Sequence, residues 1–144
     1  MLLSQKMESP LNYKFSLTHD NLVAETQWFG DLTYKIIVDG IISQNQWFLV
    51  NSDKFPLVLV SDYTQANLNN VTQTDLQKIA DQFRGEDDLF PDMTWIAIMP
   101  SDVKFEIVRL WQEHADSLYR NPNVVRNWTL AKNIISDVLT NYTE

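Results

Sequence analysis

The side chains with most chemical potential follow one apolar run. Leu57-Val58-Leu59-Val60 leads into Ser61, Asp62, Tyr63 and Thr64, which set a hydroxyl, a carboxylate, a phenol and a second hydroxyl in four consecutive positions. Ligands of open α/β sheets bind beyond the carboxyl ends of strands, so if the apolar run is a strand, these four residues are the first place to look for a site. A serine nucleophile needs an activating base and, in the hydrolase elbow, flanking glycines at a strand-to-helix turn. Ser61 has no such glycines, so acyl transfer is without support.

Other chemistries fail on residue type and spacing. The three glycines, Gly30, Gly40 and Gly85, are far apart, which removes both the dinucleotide fingerprint and the phosphate-binding loop. The two histidines, His19 and His114, have no second histidine or carboxylate at metal-ligand spacing. His114 sits near Trp111 and Ala115 on a helical pattern and reads as a boundary histidine; His19 falls in a turn. The run Gly85-Glu86-Asp87-Asp88 lacks the ligand alternation of a calcium loop and reads as a solvated connection. Without cysteine there are no disulfides, thiolate metal sites or cysteine nucleophiles. No cofactor and no metal is expected, and the chain reads as a non-enzyme.

Thr72 and Thr74 stand before the apolar face Leu76, Ile79, Ala80 and Phe83, so either can cap a helix or accept a phosphate that the helix dipole would favour. Trp28, Phe29, Trp47 and Phe48 form a second group. They fill a core, or they line an apolar ligand pocket or a subunit interface, for which a homodimer is the commonest closed form.

These residues need elements to hold them. In 144 residues there is room for one domain, and a hydrophobic fraction of 44% supplies its core. A net charge of −8 repels nucleic-acid phosphates and anionic membrane surfaces. No stretch approaches the length needed to span a bilayer and residues 1–11 lack a secretion signal, so a cytoplasmic location is expected and three Asn-X-Thr matches are coincidental.

Tyr13, Phe15 and Leu17 alternate with polar residues, His19-Asp20-Asn21 interrupts, and Leu22 to Phe29 resumes, which predicts an antiparallel hairpin. Leu57–Val60 and Trp95–Met99 are continuous apolar runs, as in strands covered on both faces. Helices are expected from Thr72 or Thr74 to Gly85, from Ser101-Asp102 along Val103, Ile107, Val108, Trp111, Ala115 and Leu118, and from Trp128 or Thr129 onward, with Val124-Val125 a short strand between the last two. Residues 36–42 conflict: Asp39-Gly40 between β-branched pairs is a hairpin signal. Asp31 as N-cap and the face Leu32, Ile36, Val38, Ile41, Ile42 predict instead a helix over about 32–46, which the flanking elements favour. The expectation is an α/β domain over residues 12–144 after a tail of 1–11. It has a mixed five-stranded sheet, an N-terminal antiparallel hairpin followed by parallel strands, and about four flanking helices.

In this order of elements the chain resembles the SpoIIAA-like, or STAS-like, proteins. The resemblance runs through the hairpin, Gly30-Asp31-Leu32-Thr33 opening a helix, the strand Leu57 to Tyr63, Val71 to Leu76 opening the next helix, and Ile96 to Asp102. It implies a domain that binds partners rather than catalyses, with another protein or a second copy of itself as partner. In the family's anti-sigma-factor antagonists a serine at the start of the helix after the central strand is phosphorylated. The matching stretch here, Asn70-Val71-Thr72-Gln73-Thr74-Asp75, has neither serine nor glycine. A similar fold in lipid-carrying domains adds a small apolar ligand as the alternative.

Overall fold

The computed structural model describes residues 12–51, 56–83, 93–100, 102–118 and 121–142. Nine elements follow one another: β1 (Tyr13–Thr18), β2 (Val23–Asp31), α1 (Tyr34–Asn51), β3 (Val58–Asn67), α2 (Gln73–Phe83), β4 (Thr94–Ile98), α3 (Phe105–Leu118), β5 (Asn121–Val125) and α4 (Trp128–Tyr142). The fold is α/β. Its five strands lie in the order β1-β2-β3-β4-β5, with β1 antiparallel to β2 and every later pair parallel.

Side-chain alternation along the strands separates two apolar layers. Ala24, Trp28, Leu59, Tyr63, Trp95 and Ala97 meet α1, α2 and α3 through Ile37, Phe48, Leu76, Ile79, Phe83 and Trp111. The intervening Val23, Val58, Val60, Ile96 and Ile98 meet α4 through Ala131 and Ile135. Three crossovers wound in one direction put three helices on one face and leave the other to α4.

The β1–β2 turn holds His19, Asp20 and Asn21 at φ of 54°, 57° and 70°. Asp and Asn tolerate this left-handed region because their short side chains bond locally, which is why the sequence breaks there.

Residues 36–42 are helical, within α1. Its cap is Thr33, whose Oγ1 accepts the Ile36 N–H at 3.3 Å, rather than the expected Asp31. Asp31 ends β2 and accepts Asn67 Nδ2 at 2.8 Å, because the strand runs past Gly30. Gly40 is fully inside the helix, and its missing side chain lets α1 settle on the Trp28 ring.

β3 is longer than its apolar run. Ser61 to Thr64 therefore lie within the strand and not beyond its end, a correction that follows from continued pairing of β3 with β2 as far as Asp31↔Asn67. The expected stop at Gly85, the acidic loop after it, and Ser101 lie outside the described residues.

Candidate functional site

One sheet face is only partly covered, and the candidate site lies at the edge of the cover. Helix α4 sits over β4 and β5, while the same face of β1 and β2 carries Lys14, Ser16 and Thr18, Glu25 and Gln27, none of them buried. Between the hairpin and α4 runs a groove of about 560 Å³. Val23, Ile135, Leu139 and Trp128 give it an apolar lining; Thr18, His19, Glu25, Lys132, Ser136 and Thr140 give it polar groups. From Trp128 to Thr140 it follows about 18 Å of helix axis.

The wall at Trp128 is fixed by a strand irregularity. Gln27 pairs with Asp62 and Phe29 with Gln65, so Trp28 alone faces two residues of β3, Tyr63 and Thr64. Such a bulge leaves a backbone group outside the ladder. Asp62 takes it up: Oδ1 accepts the Thr64 N–H at 2.9 Å and the Thr64 hydroxyl at 2.7 Å. The other oxygen, Oδ2, accepts the Trp128 Nε1–H at 3.1 Å. Asp62 is 2% exposed, and a buried carboxylate needs donors of this kind. It therefore fastens β3 to the first turn of α4.

Glu25 lies opposite Val60, one same-face step from Asp62. Burial, and then the negative charge of Asp62, raise its carboxyl above the usual carboxylate range. No cation compensates: among the described residues, Glu25 forms no ion pair.

Of the residues singled out in the sequence, the structure joins Asp62 to Thr64 by hydrogen bonds, and Tyr63 to Trp28 and Trp47 to Phe48 by ring contacts. Ser61 is buried, and strand alternation turns it to the opposite face from Asp62. Tyr63 stacks on Trp28 at 5.7 Å and 11° and meets Trp111 at 4.8 Å, so it is a core residue. Thr72 is a cap: its Oγ1 accepts the Asp75 N–H and Asp75 Oδ2 accepts the Thr72 N–H, each at 3.1 Å, a reciprocal capping box. Thr74 lies exposed in the first turn of α2.

The four aromatics do not make a surface patch. Trp28 and Phe48 are interior, at 1% and 0% exposure, while Phe29 and Trp47 are half-buried. Trp47 packs on Phe15 and Phe48 at the rim of the core, where α1 closes over β1.

His114 is buried between α2 and α3. Burial lowers its pKa to about 4, against a hydrogen bond with the Leu76 backbone that raises it. The ring is neutral near pH 7 and lies 5.8 Å from the Trp111 ring, at 82° to it.

Sequence reading missed Glu25, Trp128, Lys132, Ile135 and Leu139 as groove residues. A signal existed in Glu25 and Gln27, polar positions on the outer face of a strand whose other face is apolar, but nothing in sequence shows where α4 stops covering that face. The sequence matches no known family model and no curated protein. Among the described residues no three acidic, histidine or cysteine side chains are grouped to hold a metal, and no helix is long and apolar enough to cross a membrane.

Proposed function

We propose that this chain is a non-catalytic binding module of the STAS-like kind, working in the cytoplasm through the groove between the β1–β2 hairpin and α4. The single observation that carries this is the groove itself. At about 560 Å³ it falls within the usual range for small-ligand sites, and it combines an apolar lining with a few convergent polar groups. The element order supports the family reading, and the internal use of Asp62, Thr72 and His114 supports binding over catalysis. Of the two expected occupants, the dimensions favour a small, partly apolar molecule.

Titration of 15N-labelled protein with hexanol tests this. Resonances of Val23, Glu25, Ile135 and Leu139 should shift together, and Leu139→Glu should abolish the response. Shifts confined to another surface, or none, would refute the groove as the working site.

A protein partner is the second reading, favoured by Leu49 and Val50, which are 56% and 81% exposed at the end of α1. Capture of a stoichiometric partner that is lost with Leu49→Ser and Val50→Ser would put the interface there instead.

A further inference from the structure

We propose that the groove takes a small amphipathic amine, with its ammonium group between Glu25 and the Trp128 ring and its hydrocarbon chain over Val23, Ile135 and Leu139. The inference rests on the groove being the working surface and adds the sign of the ligand's head.

Two carboxylates stand at the Trp128 end: Glu25 in the lining and Asp62 behind the indole, joined to it at 3.1 Å. Asp62 is surrounded by its donors, Thr64 and Trp128, and has no further use for a cation. Glu25 is different. It is half-buried and forms no hydrogen bond or ion pair among the described residues. Lys132 lines the same groove without coming within ion-pair distance of it. An arriving ammonium would supply the missing counter-charge beside Trp128, which lines the same groove. Lys132 is exposed and so is screened by solvent, whereas the half-buried carboxylate is screened less. The resulting field favours a cation over an anion. The raised pKa of Glu25 fits this, since its causes, burial and the Asp62 charge, are both offset when a positive charge arrives.

The rest of the lining sets the other half of the ligand. Val23, Ile135 and Leu139 form a continuous apolar strip. It follows α4 away from Trp128, so a head held at Glu25 lays its tail along the helix.

Three probes of equal length separate the possibilities: hexylamine, hexanol and hexanoate, each titrated at pH 7 into 15N-labelled protein. The readouts are the resonances of Val23, Ile135 and Leu139 and the indole N–H of Trp128. Hexylamine should bind about tenfold more tightly than hexanol, a difference of about 1.4 kcal/mol, with hexanoate weakest. Glu25→Gln should reduce hexylamine to the affinity of hexanol, and Lys132→Gln should tighten it. If hexylamine and hexanol bind alike, or hexanoate binds best, the groove remains a site and the amine assignment falls. If none of the three moves the groove resonances, both readings fall.

Discussion

The Trp28 ring fills the space that a side chain on Gly40 would need: a Cβ there would lie 2.4 Å from Cη2 and 2.8 Å from Cζ3. The two residues share no strand or helix, so their contact sets the distance between α1 and β2. Alanine at 40 would gain about 1 kcal/mol in helix propensity. The overpacking cost, about 1–3 kcal/mol, should exceed it because the opposing atoms belong to a rigid buried ring. Gly40→Ala is therefore expected to destabilise the protein in urea unfolding, and to cost less in a Trp28→Phe background. A stabilised Gly40→Ala would refute the contact.

Trp28 and Trp47 should behave differently from each other. Trp28→Ala should lose about 3–5 kcal/mol, as a core tryptophan does, without changing the molecular mass measured by light scattering. Trp47→Ala, at a half-buried rim position, should lose less. A dimeric parent that becomes a stable monomer on either substitution would return these aromatics to an interface.

Trp128→Phe keeps an aromatic groove wall but removes the donor to Asp62 Oδ2. It should cost about 1–3 kcal/mol, the penalty of an unsatisfied buried acceptor. In combination with Asp62→Asn the losses should be non-additive, since both remove the same bond. Additive losses would show that the two groups act independently.

At the start of α2, Thr72→Ala should cost about 0.5–2 kcal/mol through loss of the cap. Thr74→Ala should stay within about 0.5 kcal/mol of the parent. Equal losses at the two positions would contradict the capping box.

Stability should respond to acid through His114. Its folded pKa is about 4, and the unfolded chain titrates near 6.5, so the unfolded state binds the proton first. Stability from the neutral ring is complete above pH 6.5 and is lost as pH falls toward 4, the loss amounting to about 3 kcal/mol once the pH is below both values. Glu25 acts in the opposite sense, because its raised pKa favours the folded state as its carboxyl protonates in acid. His114→Gln should flatten the decline between pH 6.5 and 4 measured by urea unfolding. An unchanged slope would exclude His114 as its source.

The elements were legible in sequence where periodicity was strong. Leu76, Ile79, Ala80 and Phe83 mark one face of α2, and all four are buried. The Asp39-Gly40 segment was legible only in context, because its local hairpin signal is overruled by a tertiary contact with Trp28 that no window of neighbouring residues contains. The same reason hid the bulge. Asp62 looks like a free carboxylate at a strand end, yet its partners are two residues and 66 residues away. The continuous apolar run ended at Val60, but β3 continued: Ser61, Asp62 and Tyr63 are buried within the sheet, and the positions after them are held by pairing with β2.

Strand order equal to chain order bears on synthesis. Each parallel strand pairs beside one already made, so the sheet can be laid down from its first edge as the chain leaves the ribosome, through contacts between successive elements. Helix α4 is made last. Until residues 128–142 emerge, Val58, Val60, Ile96 and Ile98 have no helix over them, and a chain stalled or cleaved before Trp128 presents a bare β surface for self-association.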